Sequence, residues 1–223
     1  MGSFTTRSGR RITGEEFERM LEATAMVVGD EAAPGWRRYL TGLWTSGLRL
    51  TESLDLSWDC QGRLVPVFPE QGRPMLRAPA ELAKCLTVRV KPMAPEFALL
   101  LAETPPQERT GPVFPLSGTR IKGRRPKIHH VSDIISAIGK KARVVVDVDP
   151  TDPGKLRYAS ARDLRRAFLE RWAARIMLEQ LQELAGHETT LRYYVGRNAE
   201  RTADVCWEAF ERAQVSAAGT RPP

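Results

Sequence analysis

The stretch that decides the fold runs from Ser160 to Val195 and reads SARDLRRAFLERWAARIMLEQLQELAGHETTLRYYV. Its opening Ser-Ala-Arg-Asp is a capping-box pattern, which predicts that a helix begins there with Asp163 in its first turn, where the helix dipole favours a carboxylate. Arg162, Arg165 and Arg166 follow at spacings of three and four residues. This spacing predicts that the three arginines share one cationic helix face.

Apolar residues recur every four positions along the same helix and are predicted to form its buried stripe: Leu164, Phe168, Trp172 and Ile176. A short helix through Leu184 should then stop at Gly186, directly before His187. Two adjacent tyrosines, Tyr193 and Tyr194, close the stretch. The stretch therefore brings cations, a histidine and phenols into one short part of the chain.

Helical patterns also dominate the chain upstream. A capping box at Thr13 predicts a helix from about Gly14 to Val28, and a second apolar pattern is ended by Gly47 as a C-cap. Further helices are predicted over Leu50–Leu56, after Pro95, and from Ser132 as the N-cap of a segment through Ile138.

Short segments bounded by proline and glycine predict strands at the edges of small sheets: Leu64–Phe68, Pro74–Ala78, Thr87–Val90 and Val144–Val148. Asp149 to Gly154 is predicted to be a turn. The predicted fold class is therefore mainly α with a small antiparallel β-sheet, α+β.

Composition excludes several classes of protein. The chain has 223 residues, 42% of them hydrophobic and 27% charged, with no apolar run long enough to span a bilayer. Its start lacks the apolar core of a signal peptide, so a cytoplasmic location without membrane association is expected. The three cysteines and three histidines are not spaced as disulfide or zinc sites, so no metal is expected.

The charge of the chain indicates an anionic partner. The formal net charge is +7 and the calculated isoelectric point is about 9.7. The densest basic segment, RIKGRRPK at 120–127, has two equally good interpretations, a solvated loop or a contact with the phosphate backbone of DNA. Five basic residues form it: Arg120, Lys122, Arg124, Arg125 and Lys127.

Transesterification at a phosphodiester would use arginines and a tyrosine together. Arginines stabilise the charge on the non-bridging oxygens, and a tyrosine phenol can hold the phosphate as an ester. Arg49 lies in TSGLRLTESLDL and Lys84 in AKCLTVRVKPM. Neither residue is specific by itself, because each could equally be an ordinary surface cation.

Four segments taken together resemble the tyrosine recombinase (phage integrase) family. TSGLRLTESLDL is similar to the family's T-G-L-R-x-x-E-x-x-x-L arginine box, and Lys84 matches its β-hairpin lysine. ARDLRRAF resembles the H-x-L-R box, and AGHETTLRYY resembles the L-G-H segment followed by T-T-x-x-Y. The segments occur in the family's order over about Thr13 to Phe210, which implies the fold of a tyrosine recombinase catalytic domain.

The resemblance also implies roles for individual residues. Arg49 and Arg165 would hold the scissile phosphate, Lys84 would protonate the leaving 5′ oxygen, and His187 would bind the phosphate or assist proton transfer. Tyr193 would be the nucleophile, and Glu52 would be a supporting residue of the site. No metal or other cofactor would take part. Double-stranded DNA would be the partner, contacted also by Arg166.

The sequence departs from the family's pattern at two of these positions. Arg162 stands where the family has histidine; it can bind phosphate but cannot act as a base near neutral pH. His187 and Tyr193 are three residues closer than is usual in the family, a loss of about 4.5 Å of helical rise. Tyr193 is the preferred nucleophile because it fits T-T-x-x-Y, and Tyr194 is the alternative.

The domain organisation expected from the resemblance is a single catalytic domain over residues 13–215 between flexible tails at 1–12 and 216–223. No space precedes Thr13 for the N-terminal helical domain with which the family clamps DNA, so that domain is expected to be absent. The C-terminal helix, near Ala199–Ala213, would dock onto a neighbouring subunit in a synaptic tetramer or pack on its own domain.

The expected function is therefore a site-specific DNA recombinase or integrase that cuts and rejoins strands through a 3′-phosphotyrosine. Two alternatives stay open: a DNA-binding protein on the same scaffold that has lost its chemistry, and a type IB topoisomerase. On DNA, the protein would be associated with the nucleoid.

Overall fold

The computed structural model describes residues 9–60, 63–78, 89–118, 126–149 and 151–185. The chain divides into two compact units, Met1–Gly186 and His187–Pro223, and all described residues belong to the first. Eight α-helices and five strands are described. The helices are α1 (Gly14–Ala23), α2 (Ala25–Val28), α3 (Ala33–Ser46), α4 (Leu50–Asp55), α5 (Pro95–Ala102), α6 (Ile128–Lys141), α7 (Ala161–Ala173) and α8 (Leu178–Ala185). The strands are β1 (Val65–Val67), β2 (Met75–Ala78), β3 (Arg89–Pro92), β4 (Val145–Asp149) and β5 (Asp152–Tyr158).

The α+β prediction is confirmed. The first sheet is antiparallel in the order β1-β2-β3, with Val65 opposite Arg77 and Leu76 opposite Lys91. The second is the antiparallel hairpin β4-β5. No helix of the described residues has the length and apolar character that a bilayer crossing requires.

The core lies between α3 and α7. Trp36, Tyr39 and Leu40 of α3 are fully buried, as are Leu164 and Phe168 of α7. The predicted stripe on α7 is correct only in its first half, because Trp172 is half-buried and α7 ends at Ala173, before Ile176.

Three predicted elements need correction. The first helix is interrupted at Thr24, whose hydroxyl donates to the carbonyl of Met20. Ser132 is not an N-cap, since α6 begins one turn earlier at Ile128 and so adds the fully buried Val131 to its apolar stripe. The predicted turn after Asp149 continues into strand β5.

The N-terminal segment from Gly9 to Ile12 is ordered against the domain, although the sequence placed it in a flexible tail. The N–H of Arg10 donates to the carbonyl of Val146 at 2.8 Å, and Ile12 is buried. Arg166 donates to the carbonyl of Gly9 at 2.7 Å. These contacts join the segment to β4 and α7.

The start of α1 carries an ion pair that should make stability sensitive to acid. Glu16 accepts two hydrogen bonds from the Arg10 guanidinium, at 2.5 and 2.7 Å, and one from the N–H of Thr13. The hydrogen bond from Arg10 is the main cause that lowers the pKa of Glu16 to about 2. A lowered carboxyl pKa contributes stability above the unfolded-state pKa, and this contribution is lost as the pH falls through the folded-state value.

We therefore expect the melting temperature to fall between about pH 4.5 and pH 2, and to fall less in Glu16→Gln, which has no carboxyl to titrate. Thermal unfolding across this pH range tests this. Glu15→Gln, at the exposed neighbouring position, should retain the wild-type profile. Identical profiles for Glu16→Gln and wild type would contradict the assignment.

Candidate phosphate-binding site

A short connection after α3 presents Arg49. Gly47 ends α3 in the left-handed region at φ 59° and ψ 18°, and its N–H donates to the carbonyl of Leu43. Leu48 is buried, and its N–H donates to the Ser46 hydroxyl at 3.1 Å. The backbone leading to Arg49 is thus fixed on both sides, and α4 begins at the next residue.

Glu52, in the first turn of α4, binds Arg49 twice. Its Oε1 lies 2.7 Å from Nη1 of Arg49, and its Oε2 accepts from the Arg49 N–H at 2.8 Å. The side chain of Arg49 is 36% exposed, so this pairing leaves part of the side chain accessible to a ligand. Glu52, which was predicted to be a supporting residue, therefore contacts Arg49 directly.

Arg165, on the second turn of α7, reaches the same carboxylate. Its Nη1 lies 3.9 Å from Oε2 of Glu52 and donates to the carbonyl of Gly47. Its Nη2 donates to the carbonyl of Ala185 at 3.0 Å. The side chain is only 13% exposed, so its guanidinium is held in a fixed orientation by the ends of α3 and α8.

A buried hydrogen bond supports α4 from behind. The hydroxyls of Tyr39 and Ser53 lie 2.8 Å apart, and the Ser53 hydroxyl also lies 2.9 Å from the carbonyl of Leu50. Burial raises the pKa of the Tyr39 phenol, partly offset by the Ser53 hydrogen bond, so Tyr39 stays neutral. These contacts tie the helix that carries Glu52 to α3.

Lys91 of β3 completes the charged group, although no sequence motif marks this lysine. Burial raises the pKa of the Glu52 carboxyl. The charge of Lys91, together with the hydrogen bonds and charge of Arg49, lowers it by more than burial raises it, so the pKa of Glu52 lies below its usual value. We call Arg49, Glu52, Lys91 and Arg165 the Glu52 cluster. Because it combines three cations with one carboxylate, the Glu52 cluster can bind an oxyanion such as a phosphodiester.

Two of the other three arginines of α7 make contacts that differ from those of Arg165. Arg162 and Arg166 line a cleft of about 460 Å³ together with residues of the β4-β5 hairpin, among them Lys155 and Arg157. Arg166 is 12% exposed, 3.6 Å from Asp163 and bound to the Gly9 carbonyl. On the helix face predicted for these arginines, Arg165 therefore contacts Glu52, whereas Arg162 and Arg166 line this cleft.

The capping box at the start of α7 explains this arrangement. The Asp163 carboxylate accepts from the N–H of Ser160 at 3.0 Å and from its hydroxyl at 2.6 Å. This bond fixes the beginning of α7, and the first turn then sets the direction of each arginine. The capping-box prediction is confirmed.

Several predicted site residues lie outside the described residues: Lys84, Arg120, Lys122, Arg124, Arg125, His187, Tyr193 and Tyr194. Among the predicted DNA contacts, Lys127 is described and is exposed directly before α6. The structure therefore brings together Arg49, Glu52 and Arg165 from the predicted set and adds Lys91.

Comparison with known proteins finds likeness in structure but not in sequence. No protein-family model and no curated protein sequence matches the chain. The chain is similar to XerA recombinase, with 18% identity and a TM-score of 0.53 over 92% of this chain and 65% of that one. It is also similar to XerH site-specific recombinase bound to palindromic difH substrate, with 20% identity and a TM-score of 0.55 over 89% and 53%.

A third similar structure is the Tn1549 transposon integrase in complex with transposon right end DNA, with 18% identity and a TM-score of 0.56 over 89% of this chain and 65% of that one. The chain thus spans about half to two-thirds of the length of these proteins. The chain has the fold of a tyrosine recombinase catalytic domain.

Proposed function

We propose that this chain is the catalytic domain of a site-specific DNA recombinase or integrase. The observation that supports this most strongly is the meeting of Arg49 and Arg165 at Glu52. Two arginines from separate sequence segments surround one carboxylate on a fold shared with DNA recombinases. Their planar guanidinium groups suit the non-bridging oxygens of a phosphodiester.

In the proposed reaction, the phenolic oxygen of Tyr193 attacks phosphorus and the bond to the 5′ oxygen breaks. Lys84 supplies the proton that the leaving 5′ oxygen takes up. His187 accepts the phenolic proton and can then hydrogen-bond the phosphate, and Arg49 and Arg165 stabilise the charge that develops on the non-bridging oxygens. The 3′-phosphotyrosine retains the bond energy, so attack by a 5′ hydroxyl reverses the steps and joins the strands.

Glu52 has a positioning role in this proposal. It accepts from both the backbone N–H and the side chain of Arg49, which limits the directions that this arginine can take. Preorganised donors lose little free energy to reorganisation when charge develops on the phosphate. Glu52 thus favours a guanidinium already oriented for the transition state.

Double-stranded DNA is the proposed partner, with the protein located wherever the DNA is, in the cytoplasm or nucleoid. Contacts with phosphates beyond the scissile one are proposed for Lys127, Arg166 and the basic segment 120–127. Because such contacts release counterions, binding should weaken steeply with salt. Assembly of four subunits through the C-terminal segment is the proposed arrangement for synapsis, and sedimentation with and without DNA tests it.

Trapping with a nicked suicide duplex tests the proposed reaction. The wild-type protein should form a DNA adduct that survives denaturing electrophoresis, whereas Tyr193→Phe should bind the duplex equally well and form no adduct. Tyr194→Phe is the matched control and should retain the adduct. Loss of the adduct in Tyr194→Phe alone would instead assign the nucleophile to Tyr194.

Trapping, DNA binding at varied salt and relaxation of supercoiled DNA together separate the proposal from two other functions. Arg162 and the short interval between His187 and Tyr193 favour a protein that binds DNA without cutting it. Salt-sensitive binding without any wild-type adduct would select that function. Relaxation of supercoiled DNA that needs no second site would select a type IB topoisomerase.

A further inference from the structure

Lys91 occupies an unusual place for a lysine. It lies in the middle of β3, opposite Leu76 of β2, and its side chain is half-buried. Its Nζ is 3.4 Å from the carbonyl oxygen of Ala185, the atom that also accepts from Nη2 of Arg165 at 3.0 Å. Two cations thus converge on the last turn of α8, where the helix dipole favours positive charge.

The charge of Lys91 also acts directly on Glu52. Among the interactions that lower the pKa of the Glu52 carboxyl, the attraction to Lys91 is the largest. The reverse also holds, because Glu52 is the group that raises the pKa of Lys91. Lys91 and Arg49 therefore share this carboxylate electrostatically.

We propose that Lys91 is a positioning residue of the phosphate site, whose ammonium offsets the charge of Glu52 so that Arg49 and Arg165 keep their full charge for the bound phosphate. With Lys91 protonated, the Glu52 cluster holds three positive charges and one negative charge. Its net charge of +2 then matches the double negative charge of a phosphorane transition state. Applied to a DNA phosphodiester, this inference rests on the proposed function.

Lys91 is also the member of the cluster that changes charge near neutral pH. Burial is the main cause that lowers its pKa to about 8, and the charges of Arg165 and Arg49 lower it further, against the attraction of Glu52. Four groups face its ammonium: Glu52 of α4, Arg49 directly before α4, Arg165 of α7 and the carbonyl of Ala185 at the end of α8. Below about pH 8 the lysine is charged, and above it the cluster falls to a net charge of +1.

Anion binding and protonation of Lys91 should therefore be linked. A bound anion adds a negative charge beside the ammonium and raises its pKa, and a rise in pH through this pKa weakens anion binding. Sulfate is a suitable probe, because its charge does not change between pH 6 and 10. This linkage can be measured without any DNA cleavage.

Nuclear magnetic resonance of ¹⁵N-lysine-labelled full-length protein tests the inference, with Lys91→Met identifying the resonance. Lys91 should titrate near pH 8 in sodium chloride, and its pKa should rise by about 0.5 to 1 unit in sulfate at equal ionic strength. Titration near the ordinary lysine pKa, or the same pKa in both salts, would overturn the proposal. Because sulfate replaces DNA, this outcome does not depend on recombinase activity.

A charge-compensation experiment tests the link to the reaction. Lys91→Met should slow adduct formation about tenfold, which corresponds to about 1.4 kcal/mol. The double variant Lys91→Met with Glu52→Gln should recover much of the rate, because it restores the net charge while the Gln carbonyl can still accept from the Arg49 N–H. Lys141→Met, at an exposed position on α6, should behave as wild type.

Two results of this second experiment would contradict the proposal: an unchanged rate in Lys91→Met, or a folded double variant no faster than Lys91→Met. A purely structural lysine gives no reason for recovery when Glu52 loses its charge. If the wild type forms no adduct but its Lys91 responds to sulfate, then the anion site stands and the recombinase function fails.

Discussion

Replacing Arg165 with lysine is expected to slow formation of the covalent DNA complex by roughly 10²- to 10³-fold. The Arg165 guanidinium donates to the carbonyls of Gly47 and Ala185 and approaches Glu52, so it joins the ends of α3 and α8 to α4. A lysine has one nitrogen and no planar fork. It cannot keep both carbonyls and also contact a phosphate in the same geometry.

The measurement is the single-turnover rate on the suicide duplex, with thermal unfolding to confirm that the variant is folded. Arg175→Lys is the matched control, because Arg175 lies just beyond α7 with its side chain 57% exposed and pairs only weakly with Glu96 at 3.2 Å. That control should cleave at the wild-type rate. A wild-type rate in Arg165→Lys would show that the guanidinium is not part of the reaction.

Gly47→Ala should be among the most destabilising single-methyl changes in this domain. At φ 59°, a non-glycine residue costs about 1 to 2 kcal/mol. A Cβ would also lie 2.6 Å from Cε1 and 2.8 Å from Cγ of Phe168, a fully buried ring, and forced overpacking typically costs about 1 to 3 kcal/mol more. The expected loss of about 2 to 5 kcal/mol is a large part of the 5 to 15 kcal/mol typical of domains.

Urea unfolding followed by circular dichroism tests this expectation. Gly14→Ala is the control, because a Cβ there meets no atom within 4 Å and α1 tolerates alanine. Adding Phe168→Leu to Gly47→Ala should recover part of the loss by making room for the methyl group. A Gly47→Ala protein as stable as wild type would mean that the connection between α3 and Arg49 is less constrained than the structure indicates.

The local patterns of the sequence predicted most of the elements that carry the site. Gly47 as a C-cap, the start of α4 and the capping box at Ser160 all depend on residues close in sequence, and each is confirmed. The contact between Arg49 and Glu52 is also local, because the two residues are three positions apart. The approach of Arg165 to them followed from the resemblance and not from any local pattern.

The errors arise where tertiary contacts override local preference. Strand β5 contains Pro153 and Gly154 and lacks an apolar alternation, so nothing in its sequence distinguishes it from a loop; pairing with β4 makes it a strand. Arg166 follows the expected helix geometry but turns to the carbonyl of Gly9, in a segment predicted to be flexible.

Lys91 was missed for a related reason. A lysine between Val90 and Pro92 in a short strand normally points to solvent. Here α8 lies beside β3 and brings the Ala185 carbonyl within reach of Lys91, and the charge of Glu52 acts on the Lys91 ammonium. Its importance comes from three segments that are distant in the sequence. A single sequence contains no signal for that meeting.

Identification of the amino acid that carries the DNA tests the central claim most directly. After trapping on the suicide duplex and digestion with nuclease and trypsin, the peptide from Tyr193 to Arg197 should carry a nucleotide joined through a 3′-phosphate to the Tyr193 oxygen. Fragmentation mass spectrometry distinguishes this tyrosine from Tyr194. A nucleotide joined to a serine, or joined through the 5′ end of the cut strand, would contradict the reaction assigned to the Arg49, Glu52 and Arg165 site.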